Sequence, residues 1–195
     1  MILHLHEFAY AGGGARYHVL KQVFRDQEVL SPDLPVEPYE TVEFILEQMD
    51  RAQCPCLSVG LSLGGFYAFY LAAVRGVPAV LINPALRPWK TLRRAVGRFR
   101  NFATGETFLW TEEHLEQLRS LGEEVDRAKV DPRLLRVYLA ADDELLDHHR
   151  TIPWLPPGAA IQWYDAAGHR FAPFRKVAPE FRKHFDLIHD RPQAD

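Results

Sequence analysis

The sequence predicts an α/β fold in which about six mostly parallel strands carry helices on both faces, and three observations indicate it. Short apolar, strand-like runs alternate with longer segments in which apolar residues recur at helical spacing. One strand–helix junction, residues 60–65, carries the pattern Gly-x-Ser-x-Gly-Gly. Acidic residues and a histidine follow two later strand-like runs, and parallel strands would bring these ends to one edge of the sheet.

Length, composition and charge narrow the class of protein. A chain of 195 residues with 47% apolar residues can bury one substantial core, so residues 1–195 are predicted to form a single domain. The formal net charge of −3 predicts no nucleic-acid or membrane partner. No stretch approaches the ~20 apolar residues of a membrane span, and the N-terminus lacks a signal-peptide pattern. Cys54 and Cys56 are interpreted as reduced thiols, which predicts a cytoplasmic protein and leaves its oligomeric state open.

The elements of the first half follow one another in regular order. Strands are predicted at residues 2–6, 27–30 and 56–60, and helices at residues 15–24, 39–51 and 63–75. A triglycine loop precedes the first helix, and a proline-containing loop stops the second strand. The second helix places Val42, Ile45 and Met49 at helical spacing. The third is apolar almost throughout, as expected of a helix buried under a sheet.

The second half contains a long insertion between two strands. Strands are predicted at residues 79–82, 134–139 and 160–163, and a closing helix at residues 174–188. Residues 84–132, called the insertion below, are too many for a bare loop. Apolar residues recur at helical spacing in two parts of it: Trp89, Leu92, Val96 and Phe99, then Leu115, Leu118 and Leu121. Because ligands bind beyond the carboxyl ends of the strands in open α/β sheets, the insertion is predicted to be a small helical lid.

The Gly-x-Ser-x-Gly-Gly pattern is typical of a nucleophile elbow, a strained strand-to-helix turn that exposes one serine. Ser62 would adopt an unfavourable backbone conformation, so Gly60 and Gly64 must be small enough to let strand and helix pass. The amide of Leu63 would then point to the place where an oxyanion forms, at the positive end of the helix. The alternative is an ordinary strand–helix turn without chemistry.

A serine nucleophile needs a base, and the base needs an acid to orient it. In α/β-hydrolases the chain order is serine, acid, histidine, and here His169 follows the last strand while an acidic run follows the strand before it. Asp142, Asp143 and Asp147 are alternative acids within that run. The structural alternative is a surface histidine beside a solvated acidic turn.

Two histidine pairs have less specific interpretations. His4 and His6 point to the same face of a strand, but no further ligand follows at the spacing of a metal site, so no metal is predicted. His148 and His149 are predicted to be an exposed pair beside the acidic run.

The insertion also separates charge. Residues 87–100 are basic and residues 112–126 are acidic. These segments either pack against each other or present a cationic patch to anionic substrates such as acyl-CoA.

Several motifs give the chain a family resemblance. Besides the elbow they are Ile-Asn-Pro-Ala-Leu-Arg-Pro at 82–88, Thr-Gly-Glu at 104–106, Asp-Glu-Leu-Leu-Asp at 143–147 and Gly-His-Arg-Phe at 168–171. From residue 2 to about residue 188 the chain resembles the small bacterial α/β-hydrolases of the YqiA/YcfP type, long grouped as an uncharacterised family and partly described as esterases. The resemblance implies an α/β-hydrolase fold and a serine hydrolase that cleaves carboxylic esters or thioesters without a cofactor. A non-catalytic ligand-binding protein with the same fold is the alternative.

The resemblance also implies roles for individual residues. By position, Ser62 looks like the nucleophile, Asp143 the acid and His169 the base. The backbone amides of Leu63 and Phe8 would form the oxyanion hole. His6, Glu7 and Arg87 are the candidate substrate-binding residues.

Position 7 departs from the family pattern. The family has His-Gly-Phe after its first strand, whereas this chain has His6-Glu7-Phe8. A carboxylate facing the site would oppose a developing oxyanion and displace a donor, which costs ~10²–10³ in rate. Alternatively, Glu7 turns to solvent or pairs with a nearby arginine.

Overall fold

The computed structural model describes residues 1–52, 54 and 56–189, and its elements alternate as the sequence predicts. The strands are β1 (Ile2–Leu5), β2 (Val29–Leu30), β3 (Leu57–Leu61), β4 (Ala79–Ile82), β5 (Gly97–Arg100), β6 (Thr107–Trp110), β7 (Leu135–Ala140) and β8 (Ala160–Tyr164). The α-helices are α1 (Gly14–Val23), α2 (Pro38–Ala52), α3 (Leu63–Arg75), α4 (Pro88–Thr91), α5 (Glu112–Glu124) and α6 (Phe174–His189). Residues 190–195 of the predicted domain, and residues 53 and 55, lie outside the described part.

Six strands form one parallel sheet in the order β2-β1-β3-β4-β7-β8. The central strands β1, β3 and β4 are buried along their whole length, which explains their near-continuous apolar sequences. One core lies between the sheet and helices α2, α3 and α5, and the other lies between the sheet and helices α1 and α6. The predicted α/β fold with helices on both faces is confirmed. No helix in the described residues is long and apolar enough to cross a bilayer.

The insertion is only partly helical. Its first part contains the short helix α4, a 3₁₀ turn at Leu92–Ala95 and the antiparallel hairpin β5–β6. The helix predicted from the spacing of Trp89 to Phe99 is therefore wrong in its second half. Gly97, at φ 123°, adopts a conformation outside the helical region, and burial then alternates along β5 with a period of two. The second helical pattern is confirmed, since α5 buries Leu115, Leu118 and Leu121.

Candidate active site

Ser62 lies between β3 and α3 in a strained backbone conformation. Its φ of 54° and ψ of −115° are rarely adopted by a residue with a side chain. Backbone hydrogen bonds hold it there: the Ser62 amide donates to the carbonyl of Ile82 at 3.0 Å, and the Ser62 carbonyl accepts from the amide of Ala85 at 3.0 Å. The strand–helix turn is thus fixed from the neighbouring strand end.

The glycines around Ser62 are required by close backbone approaches. A Cβ atom on Gly60 would lie 2.1 Å from the carbonyl oxygen of Gly64, and one on Gly64 would lie 2.1 Å from the carbonyl oxygen of Leu5. Neither contact can be relieved by moving a side chain, because both partners are backbone. The expectation that these positions must be small is confirmed.

His169 joins Ser62 to Asp143. The Nε2 atom of His169 lies 3.1 Å from Ser62 Oγ, and its Nδ1 atom lies 3.0 and 2.9 Å from the two carboxylate oxygens of Asp143. These distances allow a continuous hydrogen-bonded chain from hydroxyl to carboxylate. The structure therefore brings together the three side chains that the sequence indicated.

The two rival acids have other contacts. Asp142 accepts hydrogen bonds from the amides of Ala167 and Gly168, both at 2.9 Å, and so fixes the loop before His169. Asp147 accepts from the amide of His149 at 3.1 Å and caps a short 3₁₀ turn. Among the described residues, Asp143 is the carboxylate whose oxygens contact the imidazole of His169.

Asn83 holds the histidine loop against the sheet. Its side-chain amide donates to the carbonyls of Gly168 and His169 at 3.0 and 2.9 Å, and its Oδ1 atom accepts from the amide of Ala140 at 2.8 Å. Asn83 is fully buried, and its φ of 41° is tolerated better by asparagine than by most residues. The sequence marked Asn83 only as part of a family motif, and its bridging role depends on a loop 85 residues later in the chain.

The carboxylate of Asp143 contacts a second imidazole. The Nε2 atom of His148 lies 2.8 Å from Asp143 Oδ2, and both side chains are 1% exposed. Burial would raise the pKa of Asp143, but hydrogen bonds from His148 and His169, the charge of His169 and the amide of Leu145 outweigh it and hold that pKa below its ordinary value. The prediction of an exposed pair is thus wrong for His148, whereas His149 is exposed.

The candidate oxyanion donors line the same cavity as Ser62. Leu63 is the first residue of α3, where backbone amides have no partner within the helix. Within the described residues, neither the Leu63 amide nor the Phe8 amide donates to another protein group. The ring of Phe8 packs edge-on against Phe99, Phe108 and Trp110, with centroids 5.1, 5.6 and 4.9 Å apart. The hairpin of the insertion therefore holds the loop that carries Phe8.

Glu7 is buried and paired with Arg16. One guanidinium nitrogen of Arg16 lies 2.9 and 3.1 Å from the two carboxylate oxygens of Glu7. A second nitrogen of the same group donates to the carbonyl of Arg170 at 2.9 Å. Of the two interpretations, the structure shows the arginine pair, and this pair connects the Phe8 loop with the His169 loop.

His6 supports the same loop through both ring nitrogens. Its Nε2 atom accepts from the amide of Leu34 at 3.1 Å, so Nδ1 carries the proton and donates to the carbonyl of Glu7 at 2.8 Å. Burial lowers the pKa of His6, although the hydrogen bond to the carbonyl of Glu7 acts in the opposite direction. The lowered pKa favours this neutral form. Neighbouring His4 is also buried, with Nδ1 2.7 Å from Ser31 Oγ.

A cavity of about 520 Å³ opens at Ser62 and His169. Much of its remaining wall is apolar and includes Leu63, Ala85, Leu92, Ala95, Phe99, Phe102, Leu145 and Leu146. The charged residues at this cavity are two acids and two arginines: Glu7, Glu144, Arg94 and Arg170. Arg87 lines a neighbouring cleft of about 280 Å³ instead, with its guanidinium 5.0 Å from the ring centroid of Trp154.

The basic and acidic parts of the insertion lie against each other. Helix α4 and the 3₁₀ turn after it both contact helix α5, and Arg93 of this turn lies 3.8 Å from Glu112. Both side chains are largely exposed, so the pair itself contributes little to stability. The packed arrangement accounts for part of the charge separation, and Arg94 still faces the cavity.

The chain is similar to known proteins in sequence and in fold. A UPF0227 protein of Yersinia pestis biovar Antiqua (strain Angola) is 29% identical over 177 residues, which cover 88% of this chain and 91% of the relative. The solved structure of mouse alpha/beta hydrolase domain-containing protein 10 matches with a TM-score of 0.72 at 13% identity, covering 96% of this chain and 90% of that chain. A monoacylglycerol lipase from Paleococcus ferrophilus matches with a TM-score of 0.69 at 13% identity, covering 94% of each chain.

At such low identities the structural matches establish the α/β-hydrolase fold alone. The sequence match goes further, because the uncharacterised protein family UPF0227 matches residues 1–186. The matched residues include the elbow, Asp143 and His169. The chain therefore belongs to UPF0227, the uncharacterised family of YqiA/YcfP-type proteins that its motifs resemble.

Proposed function

We propose that this protein is a serine hydrolase that cleaves carboxylic esters or thioesters through an acyl-enzyme. The observation that carries the proposal is the hydrogen-bonded chain from Ser62 through His169 to Asp143, at a strained elbow that opens into a cavity. Nucleophile, base and orienting acid are the parts that acyl transfer needs, and the reaction needs no cofactor.

The proposed reaction has two halves. Ser62 Oγ attacks the substrate carbonyl while His169 Nε2 accepts the hydroxyl proton, and the amides of Leu63 and Phe8 donate to the oxyanion. The intermediate collapses, His169 gives the proton to the departing alkoxide or thiolate, and the acyl group remains on Ser62. Water then repeats the sequence, with His169 again acting as base and then as acid, and releases the carboxylic acid. Asp143 keeps the Nδ1 proton of His169 in place and stabilises the imidazolium.

The cavity suggests an apolar acyl group. Its apolar wall includes Leu92, Phe99, Phe102 and Leu145, and two of these four residues come from the hairpin and its turn. We infer that the insertion acts as a lid over the acyl group, because its residues and Ser62 face the same cavity. The lipase named among the structural matches supports an ester of a fatty acid as one class to test.

The main argument for a non-catalytic ligand-binding protein no longer applies. It depended on the carboxylate of Glu7 opposing an oxyanion, and Arg16 neutralises that carboxylate with contacts of 2.9 and 3.1 Å. Ligand binding without turnover would also give no reason for the Ser62–His169 contact.

A fluorophosphonate probe tests the proposal directly, because it labels a serine only when a base activates it. We expect rapid labelling of the wild-type protein, none of the Ser62→Ala variant, and hydrolysis of a panel of p-nitrophenyl esters and acyl-CoA thioesters of graded length by the wild type alone. Loss of a triad member typically costs ~10⁴ or more in kcat, so a variant that keeps a hundredth of the activity would exclude Ser62 as the nucleophile. A folded wild-type protein that is neither labelled nor active would support the ligand-binding alternative.

A further inference from the structure

We propose that His148 is a positioning residue: it holds the carboxylate of Asp143 in place for His169 and weakens the pull of that carboxylate on the imidazole proton. The proposal rests on the function proposed above. It concerns a residue that touches neither Ser62 nor the cavity beside it.

The hydrogen bonds at Asp143 show what His148 contributes. Oδ1 accepts from the amides of Leu145 and Leu146 at 2.8 and 2.9 Å, in addition to His169. Oδ2 accepts from His148 at 2.8 Å and from His169 at 2.9 Å. A carboxylate offers about four lone-pair sites, so these donors fill it. Without His148, Oδ2 would keep His169 alone among its described partners, and the carboxylate would be held at one oxygen.

The burial of His148 indicates that this bond, and not packing alone, explains the imidazole. The His148 side chain is 1% exposed, and its Nδ1 atom has no partner among the described residues. An unpaired buried polar atom is destabilising, and an apolar side chain at this position would avoid that penalty. Trp163 lies edge-on to the His148 ring, with the two ring centroids 6.4 Å apart. The hydrogen bond to Asp143 is the contact that an apolar side chain could not make.

The chemical consequence has a defined sign. A hydrogen bond donated by His148 stabilises the carboxylate of Asp143 and makes it a weaker acceptor for the Nδ1 proton of His169. A weaker acceptor stabilises the imidazolium of His169 less. If His148 carries a proton, its positive charge acts in the same direction on both groups. The amides of Leu145 and Leu146 would still hold Oδ1 beside His169, so removal of His148 should shift the titration of the His169 ring to higher pH.

Other charged groups near His148 are those around the adjoining cleft. Asp147 and His149 come from the same loop, and Asp165 follows β8. Asp147 is half-exposed and pairs with Arg150 at 3.1 Å, which limits its effect on the buried imidazole. The matched control is His149→Leu, because His149 is exposed, adjacent and makes no contact with Asp143 among the described residues.

The test is an NMR titration of the His169 ring in the wild type, His148→Gln, His148→Leu and His149→Leu. This measurement needs no turnover. We expect His148→Leu to move the titration of the His169 ring to higher pH, because the carboxylate of Asp143 loses a donor and becomes a stronger acceptor. His148→Gln keeps a donor near Nε2 and should restore most of the wild-type value, and His149→Leu should match the wild type. An unchanged titration in His148→Leu would overturn the proposal.

Kinetics supply the second readout. For a hydrolysed ester, the acid limb of the kcat/KM profile should move to higher pH in His148→Leu, and kcat should fall about 10–100-fold with little change in KM, as for other residues that orient a catalytic group. His148→Phe, which also lacks a donor, replaces His148→Leu if that variant fails to fold. Should the pKa of His169 shift in a protein that hydrolyses nothing, His148 still positions Asp143 and the proposed function fails. Hydrolysis with an unshifted limb would remove the role of His148 alone.

Discussion

At the scale of single residues, some side-chain contacts of the site can be predicted from positions in the sequence, and others depend on how the chain packs. The three side chains at the elbow site were identifiable because each follows a strand end, and the parallel sheet brings those ends together. The partner of Glu7 was not identifiable: Arg16 lies one turn into α1, and only the path of the triglycine loop brings it to 2.9 Å. The same holds for His148, whose burial depends on the turn after Asp143.

The assignment of the acid leads to a prediction at this scale. Asp143→Asn should lower kcat by about 10³–10⁴, because the introduced amide can donate toward Nδ1 and favours the imidazole tautomer with its proton toward Ser62. Asp142→Asn is the matched control: its retained side-chain oxygen can still accept from the amides of Ala167 and Gly168, so kcat should change less than ten-fold. Steady-state kinetics on one ester compare the two. A larger loss in the control would reassign the acid.

At the scale of elements, the regular helices and central strands were predictable and the hairpin was not. Helix α5 repeats its buried leucines at every third residue from Leu115 to Leu121 and is capped by Thr111 and His114, so the pattern is long enough to be specific. The hairpin strands are four residues each. Gly97 begins the first of them, although the apolar residues before and after it are spaced as in a helix. Short strands whose partner lies within the same insertion leave little periodic signal.

The contact between hairpin and Phe8 loop gives a prediction at the element scale. Phe99→Ala removes a ring 5.1 Å from that of Phe8, an interaction worth ~0.5–1.5 kcal/mol beyond its buried area. We expect the Phe8 amide to lose its position and kcat to fall about ten-fold or more, since small displacements of catalytic groups are costly. Phe102→Ala is the control, because Phe102 lines the same cavity but makes no ring contact with Phe8 among the described residues.

Phe99→Ala and Phe102→Ala should affect different kinetic parameters, the first kcat and the second KM. Phe102 is 64% exposed at the cavity, so its removal should raise KM for long acyl chains and leave kcat for short ones nearly unchanged. Equal effects of both substitutions on kcat for a short ester would show that the hairpin acts only as a wall of the cavity.

At the scale of the whole molecule, Asn83 joins β4, β7 and the loop before α6 through three buried hydrogen bonds. Asn83→Ala would leave the amide of Ala140 and the carbonyl of His169 without their described partner, whereas the carbonyl of Gly168 would keep the amide of Phe171 at 3.1 Å. We expect a loss of about 2–4 kcal/mol in the free energy of unfolding and a fall in kcat, because the same bonds hold His169. Urea unfolding and ester kinetics measure the two effects.

A buried hydrogen bond near the amino ends of the strands provides the comparison. Ser58 donates to the carbonyl of Pro78 at 3.2 Å and is fully buried on β3. Ser58→Ala should lower stability by ~1 kcal/mol without changing kcat, since the bond lies away from the carboxyl ends of the strands. If Asn83→Ala changes stability alone, the histidine loop is held by other contacts, such as those of Asp142.

The contacts of the Arg16 guanidinium bear on when the site is completed during translation. One of its nitrogens meets Glu7 and another meets the carbonyl of Arg170, so its full set of bonds joins the first loop of the chain to the last. Ser62 is synthesised 107 residues before His169, the base of the proposed mechanism. Until residue 169 has been added, the strained serine therefore lacks the imidazole that contacts it in the folded protein, and a chain released before that point carries the elbow without its proposed base. Under the proposed function, acyl transfer would begin only once the final loop and α6 have docked.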